Sequence, residues 1–344
     1  MRSPFSLSRR IPLLLAGVLF LSPLSEAHEG TGFSDLPEDH PAFTAVEHLH
    51  SLNVIHGYPD GTFRPEAKVN RAEAVKILIA PLATKDALAT FTETPFEDIP
   101  AGAWYLPYTE AARQSFGIVD GPPKRMKFEG ERTVLKVEFL KMLLIAYGVD
   151  PFAFDEIRSP LANDVMNAEE WYYPYLRYSL SASLISPDAR GNLSPGAELT
   201  REDVALILYR LLTYREGRRT QALLSTTERE LLSTLDVLED NDIDAAEQTS
   251  VRALLAARGA HARLPDDPIV RSALKITEAF RALVSAYRAG LNQEFDKVLE
   301  FTGIAWNLGE EARSISSDME TIALKVQESA HAMAESARAL QNGE

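Results

Sequence analysis

The chain has 344 residues, 45% hydrophobic and 25% charged, which allows two or three domains and a sizeable core. A formal net charge of −15 argues against nonspecific binding to nucleic acid or anionic lipid, since both need basic surfaces. The chain has no cysteine, which excludes disulfides, thiolate metal sites, cysteine nucleophiles and a lipidated cysteine.

The chain opens with a basic stretch, "MRSPFSLSRR", followed by the apolar run "IPLLLAGVLFL" from Ile11 to Leu21. That run is too short to span a bilayer. Ser25 and Ala27 supply the small residues expected before a cleavage site, so residues 1–27 are expected to be a signal peptide and His28 the first mature residue. No later stretch approaches eighteen consecutive apolar residues, so no transmembrane segment is expected in the exported chain.

Three related units follow, expected over residues 33–83, 96–149 and 161–213. Asp35, Asp98 and Asp164 mark their starts, 63 and 66 residues apart. "WYLPY" (Trp104 to Tyr108) and "WYYPY" (Trp171 to Tyr175) match closely, while unit one has Pro41 in place of tryptophan. Each unit reads as helix, turn, helix. Ala42, Val46, Leu49 and Leu52 give the first helix its period, and Val75, Leu78 and Leu82 the second. Pro107 and Pro174 suit first helical turns, and "GYPDGTFRP" is a turn-rich connector. One such unit cannot bury its apolar faces alone, but three together can.

The second helices open with a charged motif: "VNRAEAVKIL" at Val69, "VLKVEFLKML" at Val134 and "LTREDVALIL" at Leu199. Asn70 with Glu73, and Thr200 with Asp203, fit capping boxes. Capping does not explain the cation at the first helical position, which faces the positive end of the helix dipole. A carboxylate ligand would, held by free helix amides and a bidentate guanidinium. An intramolecular partner, such as the aspartate opening each unit, would serve as well. Geometry alone leaves both open.

The three units resemble S-layer homology domains, whose pattern is an opening Phe-x-Asp, an aromatic helix, a Gly-Tyr-x-Asp-Gly-x-Phe-x-Pro turn and an Ile-Thr-Arg-Ala-Glu helix start. Unit one carries Phe33, Asp35, Gly57, Tyr58, Asp60-Gly61, Phe63, Pro65 and Arg71-Ala72-Glu73 in that order. The resemblance covers about residues 33–213. It implies a mainly α fold, with three repeats in a pseudo-threefold helical prism whose grooves bind secondary cell-wall polysaccharide, often through a pyruvyl carboxylate. It further implies Arg71, Lys136 and Arg201 as ligand contacts, Trp104 and Trp171 lining or flanking grooves, and Gly57, Asp35, Asp98 and Asp164 as parts of the same sites. Unit two departs from the pattern with Lys136 for arginine and Leu135 for the cap; unit three has Pro187 for glycine. The groove of unit one is therefore expected to be the most competent and that of unit two the weakest, with Arg71→Ala costing more retention than Lys136→Ala.

Residues 220–344 are rich in alanine, leucine and glutamate and are expected to form an antiparallel helical bundle, or else a coiled coil. "EGRRT" (Glu216 to Thr220) is a hinge or continuous helix. Thr227 with Glu230 and Asp244 with Glu247 read as capping boxes, Gly259 as a helix stop and Asp267-Pro268 as a restart. A last helix is expected from about Glu310 to Leu340. Asp240, Asp242 and Asp244 suggest a calcium loop, but Ala245 and Val251 stand where glycine and glutamate are needed. An acidic turn is the better reading.

No catalytic motif emerges. His48 and His50 point to different faces of one helix, and His261 and His331 stand alone. The expectation is a non-enzymatic exported protein with no cofactor or metal, anchored to the cell wall, S-layer or surface by secondary cell-wall polysaccharide or peptidoglycan. The C-terminal helices are expected to take a protein partner or self-associate. The alternatives are an anchored enzyme with its activity in the helical region and a linker from an outer layer to peptidoglycan.

Overall fold

The computed structural model describes residues 32–121 and 124–342; the expected signal peptide lies outside them. The chain is mainly helical. Each repeat supplies two principal helices: α1 (Phe43–Ser51) and α2 (Arg71–Ile79), then, after the short α3 (Lys85–Ala89), α4 (Leu106–Gln114) and α5 (Lys136–Ala146), then α6 (Tyr173–Ser181) and α7 (Arg201–Arg215). Pro107 and Pro174 stand in the first turns of α4 and α6, where a missing N–H leaves no hydrogen bond unmade.

The three repeats close on one another through the residues just before α2, α5 and α7. Val69 N donates to Leu199 O, Leu199 N to Val134 O, and Val134 N back to Val69 O, at 3.0 to 3.1 Å. This ring is buried, and its side chains are 0 to 1% exposed. A second round follows it: Arg71 N to Arg132 O, Lys136 N to Ala197 O and Arg201 N to Ala67 O. A third joins Ala72 N to Gly130 O, Val137 N to Pro195 O and Glu202 N to Pro65 O. Each repeat thus caps the helix start of a neighbour with its own turn carbonyls. The capping boxes at Asn70–Glu73 and Thr200–Asp203 both form; in repeat two Glu138 alone accepts from Leu135 N and pairs with Arg132.

The helical periods are largely as expected, with two edge residues left outside the core. Leu52 is 52% exposed beyond the end of α1, and Leu82 is 37% exposed beyond the end of α2.

Beyond a break at Glu216–Arg219, where Gly217 takes φ 77°, run α8 (Thr220–Glu239), α9 (Ile243–Arg263), α10 (Pro268–Leu291), α11 (Phe295–Ile315) and α12 (Glu320–Gln341). Contacts between consecutive helices pair a rising residue number with a falling one. Glu230 meets Arg252 and Thr234 meets Thr249; Lys275 meets Glu311 and Ser272 meets Ala312; Gln327 meets Glu310 and Gln341 meets Asp296. Helices consecutive in sequence are therefore antiparallel.

Four local expectations fail here. Thr227 and Glu230 cap nothing: both are buried inside α8, where Thr227 Oγ1 donates to Leu223 O and Glu230 pairs with Arg252. Asp242 is the cap of α9, accepting from Ala245 N, whereas Asp244 and Glu247 pair with Arg288. Gly259 stops no helix, since α9 continues to Arg263. The last helical stretch is broken at Ser316, where the backbone turns extended. Asp267 does cap α10, accepting from Val270 N.

Candidate functional site

The opening aspartates hold the turns together. Asp35 accepts from the amides of Phe63 and Arg64, Asp98 from Phe128 and Glu129, and Asp164 from Leu193 and Ser194, all at 2.7 to 2.8 Å. Arg64, Glu129 and Ser194 have φ between 51° and 59°, which aims two successive amides at one carboxylate. Left-handed backbone at a non-glycine residue costs about 1 kcal/mol or more, offset by these charge-assisted bonds. Burial alone would raise the pKa of Asp35, but the amides of Phe63 and Arg64 bring it below the ordinary value. Each oxygen of these carboxylates accepts one backbone amide, so Asp35, Asp98 and Asp164 anchor the turns of their own repeats.

The helix amides are committed too. At α2, Arg71 N and Ala72 N donate to Arg132 and Gly130, and Glu73 N donates to Asn70 Oδ1. The first amides of α5 and α7 are taken in the same way. An anion at these helix starts would therefore be held by side chains rather than by free backbone groups.

The cations do not pair with the aspartates. Each reaches into the turn of the next repeat around the ring. Arg201 of repeat three donates from Nε to Phe63 O and from Nη2 to His56 O, with its guanidinium 4.6 Å above the Phe63 ring and 5.0 Å from the Tyr58 ring. Lys136 of repeat two donates to Leu193 O of repeat three. Arg71 of repeat one lies 5.2 Å from the Phe128 ring of repeat two, only 8% exposed, and its buried Nε has no hydrogen-bond partner among the described residues. Burial pushes the pKa of all three cations down, the mark of charges taken out of water without full neutralisation. The intramolecular partners of these cations are thus carbonyl dipoles and aromatic faces rather than the opening aspartates.

The turn of repeat one lies in a crevice of about 260 Å³ lined by residues of all three repeats, among them His56 and Gly57 of repeat one, Trp104 of repeat two and Arg201 of repeat three. Lys76 completes it, with Nζ 5.4 Å from the ring centre of Trp104, which is 51% exposed. Gly57 lines the crevice but is glycine for packing, because a Cβ there would fall 2.2 Å from the Phe33 ring. Glu73, the crevice's carboxylate, accepts from Asn70 N in its capping box.

The arrangement recurs one repeat on. Trp171 is 54% exposed and pairs with Lys141 at 5.6 Å, in the places of Trp104 and Lys76, and Arg71 holds the place of Arg201. Around repeat three the equivalents are Pro41, Leu206 and Lys136, so the tryptophan, the second cation and the guanidinium fork are all replaced. Lys136 thus stands at the turn of repeat three, Arg71 at the turn of repeat two and Arg201 at the turn of repeat one.

The sequence reading missed Lys76 and Lys141. Their signal was a lysine five residues beyond the helix-start cation in two of the three repeats.

A family model described as S-layer homology domain matches residues 32–75 and 163–205. Exoglucanase XynX of Acetivibrio thermocellus is 25% identical over 201 residues, 58% of this chain and 18% of its own length. The surface-layer 125 kDa protein of Lysinibacillus sphaericus is 29% identical over 171 residues, covering 49% and 14%. S-layer protein sap of Bacillus anthracis is 30% identical over 141 residues, covering 40% and 16%. The chain thus spans less than a fifth of the length of each of these relatives. The middle repeat lies between the matched segments and carries the same aspartate bonds and the same ring of backbone bonds. Residues 32–75 and 163–205 of this chain are S-layer homology domains.

Proposed function

We propose that this chain attaches itself noncovalently to the cell envelope by gripping an acidic wall polysaccharide in the crevice of repeat one. The observation that carries this reading is the meeting of Arg201, Lys76 and Trp104, from three different repeats, around one opening. Two cations favour a carboxylate, and the exposed indole offers an apolar face on which a sugar ring can stack. The crevice binds rather than hydrolyses: glycoside cleavage needs two opposed carboxyl groups, and Glu73 is engaged in capping its own helix. The S-layer homology domains and the surface-layer relatives point to the cell surface or cell wall. The C-terminal helices would then present whatever the anchored protein displays.

The test is retention of the chain lacking residues 1–27 on purified wall sacculi, before and after the acidic polymer is stripped. Retention lost with the polymer supports the reading. Undiminished retention on stripped sacculi moves the ligand to peptidoglycan, and no retention on either overturns the proposal.

A further inference from the structure

Where repeat three meets the helical domain there is a cleft of about 320 Å³ that the wall-binding reading does not use. It is bordered by Ser183 and Ser186 of the repeat-three turn, Arg210 of α7, Arg219 of the connector, and Thr226 and Arg229 of α8. In a chain of net charge −15, this cleft carries three arginines and no lining carboxylate.

Two of the guanidinium groups converge on one short stretch of turn. Arg210 Nη1 donates to Leu184 O at 2.9 Å, and Arg219 Nη2 lies 3.3 Å from both the carbonyl and the hydroxyl of Ser183. The Nε of Arg219 is buried and has no hydrogen-bond partner among the described residues. Burial pushes the pKa of both arginines down, and for Arg219 the neighbouring Arg210 adds to the effect. Arg229 is exposed and also borders the cleft that holds Asp188, yet among the described residues it forms no ion pair. The first turn of α8 has no acidic residue to offset the positive end of that helix.

From this cluster we infer that the cleft binds a phosphate group. A single carboxylate has two oxygens and one charge, which one guanidinium satisfies. Three guanidinium groups beside serine and threonine hydroxyls match a tetrahedral oxyanion with three free oxygens and a charge approaching −2. The source is either the free anion or a phosphomonoester on a larger molecule, and both present the same group. The site shares no lining residue with the Arg201 crevice.

The test is calorimetric titration of the chain lacking residues 1–27 with inorganic phosphate in chloride buffer. The expected result is saturable single-site binding that Arg229→Glu weakens by about tenfold or more. Arg229→Glu is the decisive variant because Arg229 holds no carbonyl in place; its ligand-free melting temperature should equal the wild type's. Arg201→Ala should leave phosphate binding intact while removing retention on sacculi, which separates this inference from the wall-binding reading. Methyl phosphate competing with phosphate identifies an ester as an acceptable ligand, and failure to compete restricts the site to the free anion. Absence of saturable phosphate binding overturns the inference, as does full binding by Arg229→Glu. Acetate binding as tightly as phosphate overturns the ligand class.

Discussion

Gly259 of α9 lies so close to Ser181 of α6 that a Cβ built on the glycine would fall 1.7 Å from the Ser181 carbonyl oxygen. Here the repeat region and the C-terminal helices touch backbone to backbone. Tyr214 Oη donates to Gly259 O nearby, and Arg252 Nη1 donates to Leu161 O while Nε pairs with Glu230. Gly259→Ala should force the two helices apart and lower stability by about 1–3 kcal/mol, or more if the backbone cannot yield. Urea unfolding of the variant checks this; an unchanged midpoint would show that the junction is not tightly packed in solution.

Arg201→Ala should cost the most retention on wall sacculi, Arg71→Ala less, and Lys136→Ala least. The order follows the completeness of the three sites: Arg201 serves the crevice holding Lys76 and Trp104, whereas Lys136 serves a turn without tryptophan or second cation. Arg201→Lys should fail to restore binding, because an ammonium lacks the planar fork. Cosedimentation ranks the variants, and Lys136→Ala as the most damaging change would reverse the assignment.

The opening aspartates give a complementary prediction. Asp35→Ala leaves the amides of Phe63 and Arg64 without their acceptor, at a cost of about 1–3 kcal/mol for each one not rehydrated. Thermal unfolding should show the loss. Retention of the fraction still folded should match wild type, in contrast to Arg201→Ala. A selective loss of retention with an unchanged melting temperature would make Asp35 a ligand contact instead.

Acid should weaken the fold through Glu110, whose side chain is fully buried in α4. Burial alone would raise its pKa, but hydrogen bonds from Arg113, Thr94 and Gln114 bring it below the ordinary glutamate value. The pKa is thus lower in the folded state than in the unfolded state. The stabilisation is present above the ordinary value and is lost as pH falls through the folded one. Urea midpoints measured from pH ~7 down to pH ~3 should decline, and Glu110→Gln should be less stable at neutral pH with a shallower acid slope. An unaltered slope in the variant would assign the acid sensitivity to other carboxylates.

Much of this architecture was legible because its signals are local. The Asn70–Glu73 and Thr200–Asp203 boxes, the prolines of α4 and α6 and the Asp267 cap all act within a few residues of themselves. The three aspartates were visible as register marks, but their partners lie 28 to 31 residues away on a folded turn, so their hold on that turn could not be read from the sequence. Thr227 with Glu230 has the spacing of a cap yet sits mid-helix, because Arg252 from α9 neutralises the glutamate. Gly259 resembled a stop because helices often end at glycine, whereas the close approach of α6 is what excludes a side chain. Assigning each cation to the next repeat's turn required knowing how the ring closes, and nothing within one repeat states that.

The crevice of repeat one draws its turn, its indole and its guanidinium from three separate stretches of chain. A glycan lodged there would act as a staple across all three, resisting the loosening of any one. Release and unravelling should then be a single event: heating or pulling the anchored molecule would leave it attached until the repeats come undone together.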